Sequence, residues 1–407
     1  MSDQATADTP AVASQAAPDD AVTLTHAIAA MDSGFVAAIE QIADDPAQCV
    51  TRLQHFDASG ALIDTLAERT VSAALLDLGV SPVARMQGTD PALTAFNDGD
   101  VAEIFPLAGD VDKIAAAFAD VPIGNVAQAA SSGAYVAVLA ENRDEEGAAV
   151  QSLHAVKTSL KAPKMTPLGL SPLTLDGARQ ITQIAVWQDA VYAAVADAIA
   201  GCDVYRFDLK AKSPEAEVVF AQGGMRFALD AAVTCFLPTD DALLLGTAAM
   251  AHTDPKQGNW GGELIALRAD GTWDVVFGQQ RFTPDGLRLS LSGQGAGFGS
   301  VDNTALKALA HVPGSKGGRV IAALQMFMGE PVARREDARI EMLDYYGQVR
   351  FLASSASDGL SQWEEIAVDL PEDSGAITAL NVVGDTLIVG HERMGPDQPP
   401  FTLVPLP

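Results

Sequence analysis

The sequence predicts an all-β fold, specifically a β-propeller of four-stranded blades, and three observations carry that reading. A hairpin unit returns six times along the 407 residues. The second strand of that hairpin is apolar throughout. Further strand pairs, some closed by Asp-Gly turns, follow most copies. Self-similarity at a fixed period is the mark of repeat architectures.

The hairpin reads TLTHAIAAMDSGFVAAIE from Thr23. It returns as NVAQAASSGAYVAVLAE from Asn125, ITQIAVWQDAVYAAVAD from Ile181, DAAVTCFLPTDDALLLGTA from Asp230, ALKALAHVPGSKGGRVIAAL from Ala305 and ITALNVVGDTLIVGHE from Ile377. Second strands such as Phe35-Val36-Ala37-Ala38, Leu243-Leu244-Leu245-Gly246 and Leu387-Ile388-Val389-Gly390 have no polar position. Such a strand is buried on both faces, whereas a one-sided sandwich alternates apolar and polar residues. Ala or Gly at the fourth place suits sheets that converge, where backbones approach closely.

The outer strand pairs complete the blades. GELIALRAD, a turn at Asp270-Gly271 and TWDVVFG form one pair, because Gly supplies the positive φ that a tight hairpin needs. CDVYRFDLKAKSPEAEVVFAQGG, QCVTRLQHFDASGALIDTL and ARIEMLDYYGQVRFLAS read the same way. The gap between the first and second copies is two blades wide and holds a weak copy around PVARMQGTDPALTAFNDGDVAEIFPLAG. This predicts seven blades, with six or eight as the alternatives. FTLVPLP reads as the third strand of the last blade. Short helices are expected near 65–79, from the capping-box spacing of Thr65 and Glu68, and near 110–121, from Ile114 and Phe118. Residues 1–22, rich in Ala, Asp, Pro and Thr, read as a disordered tail, and 23–407 as one propeller domain.

Composition narrows the partners. A net charge of −28, from 53 acids against 25 bases, disfavours a nucleic-acid partner or insertion into an anionic membrane, since both need clustered Lys and Arg. The N-terminus lacks the basic and apolar regions of a secretory signal, and no long apolar run suggests a span, so a cytoplasmic location is expected. Cys49, Cys202 and Cys235 are odd in number and far apart, as free core thiols would be.

Two turns bear a resemblance to known propellers. ADGTWDVV (Asp270, Gly271, Trp273) and SDGLSQWEEIAV (Asp358, Gly359, Trp363) resemble the Asp-box of sialidase-like propellers. LLLGT and GGELIALRADG are similar to kelch-type repeats. The resemblance spreads over most of residues 23 to 405 and implies a fold. The arginine cluster of a sialidase site has no matching motif, so that activity is not implied.

No motif carries a reaction. SGQGAGFGS (292–300) lacks the spacing of a dinucleotide loop and reads as an inter-blade loop. NRDEEG has Leu153 where a calcium loop needs Glu. Arg334, Arg335 and Arg339 in VARREDAR read as a solvated loop, and the histidines form no HExxH pair. The fold makes the better argument. Residues ending second strands and entering first strands share one face around a propeller's tunnel mouth. That gathers Glu40, Asn125, Glu141, Arg179, Asp197, His252, Asn303 and His391 as ligand-binding candidates. Such a ring could hold a divalent cation, and no other cofactor is predicted. The function expected is a non-catalytic binding or assembly module for a protein or small polar ligand. The alternative is a metal-assisted, lactonase-like hydrolase at the tunnel mouth.

Overall fold

The computed structural model describes residues 21–31, 34–43, 45–78, 80–87, 93–100, 102–107, 111–118, 124–143, 149–161, 163–170, 179–249, 261–300, 302–314, 318–325, 349–355, 360–395 and 399–406. These are strand-dominated. The first meander is β1 (Val22–Met31), β2 (Gly34–Ile42), β3 (Val50–Asp57) and β4 (Leu62–Thr70), followed by helix α1 (Ala73–Leu78). A slighter unit comes next: β5 (Arg85–Gln87), β6 (Leu93–Asn97), β7 (Ala102–Pro106) and helix α2 (Val111–Phe118). Two regular meanders follow. They are β8 (Asn125–Ser132), β9 (Tyr135–Arg143), β10 (Ala149–Lys157) and β11 (Met165–Leu168), then β12 (Arg179–Trp187), β13 (Ala190–Asp197), β14 (Asp203–Asp208) and β15 (Glu217–Phe220).

The next holds β16 (Ala232–Pro238), β17 (Leu243–Ala248), β18 (Leu264–Leu267) and β19 (Trp273–Phe277), with an inserted hairpin of β20 (Arg281–Thr283) and β21 (Gly286–Arg288). Then come β22 (Ala305–Val312), β23 (Arg319–Gln325), β24 (Arg350–Ser354) and β25 (Trp363–Ile366), and finally β26 (Ser374–Val383), β27 (Thr386–Met394) and β28 (Phe401–Pro405). The Asp270-Gly271 turn joins β18 to β19 as the third and fourth strands of their sheet. Arg350–Ser354 is a third strand, paired to β23 and β25.

The second strands are buried along most of their length, throughout in β17 and over Ala190–Val195 in β13, because each lies inside its sheet and is covered on both faces. The coverage comes from the neighbouring meanders, two pairs of which also join edge to edge through β17–β22 and β1–β27. One apolar cluster joins β9 and β10 to β12 and β13, another joins β13 to β17 and β18, and a third joins β17 and β18 to β23. The same packing continues from the β22–β24 sheet to β26 and β27, and from β27 and β28 back to β1–β3. In that last junction Phe401 makes edge contacts with Phe35 (5.2 Å between ring centres) and Phe56 (4.9 Å). The first strands touch in the order β1, β5, β8, β12, β16, β22, β26 and again β1.

The helices are shorter than the sequence predicts. Thr65 and Glu68 sit in strand β4, and α1 starts at Ala73 with the Ser72 hydroxyl accepting the Leu75 N–H (3.1 Å). The strand wins because Leu62–Thr70 pairs along its length with β3. Residues 1–20, the acidic stretch at 144–148 and Arg334, Arg335 and Arg339 lie outside the described residues. No helix among the described residues is long and apolar enough to cross a membrane.

Candidate functional site

The first strands share an irregularity. In β1, β8, β12, β16, β22 and β26 the pairing with the second strand slips by one residue, leaving His26, Ala127, Thr182, Thr234, Lys307 and Thr378 as the extra residue. These are β-bulges at one equivalent place in each meander. A bulge leaves its extra residue out of the ladder and re-aims its side chain. All but Ala127 line one cavity of about 170 Å³ enclosed by β1, β5, β12, β16, β22 and β26. A cavity this far above the roughly 10–15 Å³ that one water needs takes several waters or one small organic molecule.

The charges at this cavity are cationic. Arg85 from β5 and Lys307 from β22 line it, with His26 and His311, and among the described residues no Asp or Glu does. That is unusual in a chain with twice as many acids as bases. Burial pushes the Lys307 ammonium down to about 8. The nearby positive charge of Arg85 adds to this, while Glu392 opposes it. Burial likewise lowers Arg85, against the attraction of Glu141. Burial raises Glu392 to about 7, opposed by its hydrogen bond from Ala376 N–H and by Lys307. The bulge hydroxyls stitch the wall. Thr182 Oγ1 donates to the Val233 carbonyl (2.9 Å), and Thr234 Oγ1 donates to the Leu306 carbonyl, each on the next first strand.

Amide side chains extend that stitching between meanders. Asn97 donates to the Val126 carbonyl (2.9 Å) and accepts its N–H (2.8 Å). Gln151 does the same with Ile181, and Gln325 bridges Gly375 O and Ile377 N. Each pairs backbone groups that the bulge and strand end would otherwise leave unmade.

The sequence candidates fall into three groups. Glu40 and Glu141 occupy one equivalent rung, opposite Leu24 and Asn125, and Glu392, which accepts the Ala376 N–H, holds a similar place in β27. Glu40 bonds to His26 Nε2 (2.7 Å), and Glu141 accepts from Gln151 (2.8 Å). Asp197 and Arg179 are opposite one another and form an ion pair (3.3 Å). Arg179 also reaches Asp203 (3.2 Å), and Asp197 Oδ1 accepts the N–H groups of Ile199 and Ala200. Asn125, Asn303 and His391 are buried in local framework. Asn125 bonds both backbone groups of Gly99, and Asn303 donates to Gly297 O (2.9 Å). His391 Nε2 meets Thr402 Oγ1 (3.1 Å) and Nδ1 the Glu392 carbonyl (3.0 Å). His391 and Glu392 are consecutive in a strand, so they face opposite sides. His252 lies outside the described residues.

Sequence reasoning missed Arg85, Lys307 and the bulge hydroxyls. The signal was a polar residue at one fixed place in the repeat, as in THA, ITQ, VTC, LKA and ITA. A bulge breaks strand alternation, so these positions read as noise.

A second charged cluster lies under the β16–β19 sheet. Arg226 pairs with Asp230 (2.9 Å) and Glu263 (3.3 Å), and Arg281 pairs with Glu263 (2.7 Å), all four being buried. Thr247 Oγ1 donates to Asp230 (2.6 Å). Burial and Asp230 push Glu263 up to about 8, against the pull of Arg226 and Arg281. Two guanidinium groups and two carboxyl groups engage one another here, which makes a framework cluster. Its backbone is unusual: Gln222, Gly223, Gly224, Met225 and Phe227 all take positive φ. Gly297 and Gly261 approach so closely that a Cβ on Gly261 would meet the Gly297 backbone. This places the SGQGAGFGS run in backbone packing.

The sequence matches no protein-family model and no curated protein. Among solved structures the chain is similar to the acylaminoacyl peptidase of Pyrococcus horikoshii (TM-score 0.48, 10% identity, 94% of this chain and 50% of that one). It is also similar to a glucose dehydrogenase (TM-score 0.39, 10% identity, 94% and 96%). The third is the soluble aldose sugar dehydrogenase of Escherichia coli (TM-score 0.39, 12% identity, 94% and 96%). The chain spans about half the length of the peptidase it resembles.

Proposed function

We propose that the chain is a closed seven-bladed propeller acting as a binding module, with a small polar ligand held in its axial cavity. The observation that carries this reading is the convergence of bulge residues from five first strands on one cavity. The unbroken contact order of the seven first strands supports the blade number and the closure. The amide stitching between blades supports a rigid wall, which favours binding because little ordering is left to do. Ligand sites are typically enclosed hollows with a few placed polar groups on an otherwise apolar lining.

Native mass spectrometry of the purified protein tests this, alongside a thermal-shift screen of small polar metabolites. A retained small molecule, or a saturable rise in melting temperature, is expected for the wild type. The cavity-filling variant Thr378→Phe should lose it. Equal binding by wild type and Thr378→Phe would place the ligand elsewhere. The hydrolase alternative predicts a different pattern: a melting shift with calcium, magnesium, manganese or zinc that Asp197→Asn abolishes. Glu40, Glu141 and Asp197 instead engage neighbours within their own blades, which favours binding without a metal.

A further inference from the structure

We propose that the axial cavity takes a small dianion, a dicarboxylate or a phosphate group, held between Arg85 and Lys307. This deepens the binding-module reading and rests on it. The two cations come from β5 and β22, which stand three places apart in the contact order of first strands and so reach the axis from opposite sides. Their charges act on one another across the cavity. Like charges brought together in a buried space repel, and an anion between them turns that repulsion into attraction. The carboxylates that act on them, Glu392 on Lys307 and Glu141 on Arg85, do not line the cavity. Among the described residues, the space the ligand would occupy therefore meets both cations and no acid.

The remaining wall fits a compact ion with a short carbon body. Thr378 Oγ1 has no hydrogen-bond partner among the described residues, and it can donate to a carboxylate or phosphate oxygen. Ile28, Met86, Leu309 and Leu380 supply apolar surface beside it. Two cations on opposite sides select two negative charges over one. Arg can grip a carboxylate or phosphate with two parallel bonds, while Lys acts as a point charge.

The test is calorimetric titration of the full chain with malonate, succinate, inorganic phosphate and acetate, at matched ionic strength and pH 7. The dianions should bind saturably, with acetate at least tenfold weaker. Lys307→Met and Arg85→Gln should each weaken dianion binding at least tenfold, while Lys210→Met, at an exposed pair with Asp189, leaves it unchanged. Malonate or succinate binding above phosphate would identify a carboxylate ligand, and the reverse order a phosphoryl one.

A second measurement does not depend on variant folding. Binding to wild type at pH 8 should take up protons, read as a dependence of heat on the buffer's ionisation enthalpy, and affinity should fall between pH 7 and 9.5. The proposal is overturned if no dianion binds, if acetate binds as well, or if affinity is flat across that range. Dianion failure with a neutral molecule still retained in native mass spectrometry, and lost in Thr378→Phe, would sink the anion site and leave the binding module standing.

Discussion

The Asn381 side-chain amide donates a 3.0 Å hydrogen bond to the backbone carbonyl of Ile28, tying the last first strand to the earliest one. The start of β1 also pairs with the end of β27, Leu24 opposite Glu392. These contacts hold together parts of the chain more than 350 residues apart. Asn381→Leu should cost about 1 kcal/mol for the lost bond. Phe401→Ala, which empties the aromatic cluster with Phe35 and Phe56, should cost about 3–5 kcal/mol. Denaturant midpoints check both. Two near-neutral variants would mean that the ends do not clasp in solution.

Leu244 tests the core between blades. It is fully buried in β17 and packs in the cluster with Leu306, Leu309 and Leu324 from the next meander. Leu244→Ala should cost about 2–5 kcal/mol through lost burial and a residual cavity. Chemical denaturation reads the loss. A midpoint equal to wild type would mean that the two sheets are not in contact.

Glycine substitutions separate backbone demand from space. Gly271 has φ +83 with nothing within 4 Å of an added Cβ, so Gly271→Ala pays only the left-handed conformation, about 1–2 kcal/mol. Gly224 has φ +58, and its Cβ would lie 2.8 Å from the Phe220 ring and 3.0 Å from Arg281 Nη2. Gly224→Ala should therefore be the more damaging change, disturbing the Arg281–Glu263 pair as well. Equal midpoints for the two variants would contradict the packing around Gly224.

The axial charges make stability depend on pH. Glu392 titrates near 7 in the fold against an ordinary 4.5, so between these values the folded state keeps a proton that the unfolded chain has released. Its stabilisation is complete below pH 4.5 and is lost as pH rises through 7, roughly 3 kcal/mol across the window. Lys307, lowered from 10.5 to about 8, acts in the other direction: stability recovers as pH rises from 8 to 10.5. Glu392→Gln should flatten the 4.5–7 slope and leave the rise above pH 8. Parallel pH profiles for variant and wild type would rule out this role for Glu392.

What was legible in the sequence follows from which physical signals survive in one dimension. Second strands were legible because burial on both faces leaves an apolar run through each of them, and β9 and β17 begin at the predicted Tyr135 and Leu243. The Asp270-Gly271 hairpin was legible because its φ demand names its residues. The β5–β7 unit was faint because its strands are short and β5 pairs in parallel with β8 rather than in a meander. The cavity was illegible for a different reason. Arg85 and Lys307 are single charges within apolar stretches, and only the fold brings β5 opposite β22. The tunnel-mouth candidates were placed by strand ends alone, which fixes a rung but not which face a side chain takes, as His391 and Glu392 show.

Gln151 gives the most direct test of the stitching between blades. Its Nε2 donates to the Ile181 carbonyl (3.1 Å) and to Glu141 (2.8 Å), while its Oε1 accepts the Ile181 N–H (2.6 Å). Ile181 immediately precedes the bulge residue Thr182, so the clamp fixes the strand at the point where its ladder slips. Gln151→Leu keeps much of the volume and removes all three bonds, leaving the Ile181 N–H and carbonyl without this clamp. Each such group costs about 1–3 kcal/mol when buried. Gln151→Glu retains the acceptor for the Ile181 N–H but loses the donor and sets a second carboxylate against Glu141. It should therefore be destabilising at neutral pH and recover as pH falls and the carboxylates protonate. Hydrogen exchange at the Ile181 amide locates the effect, with faster exchange expected in Gln151→Leu than in Gln151→Glu. If protection at Ile181 is unchanged in Gln151→Leu, the amide clamps do not hold the bulges, and the rigidity of the cavity wall must come from apolar packing between the sheets.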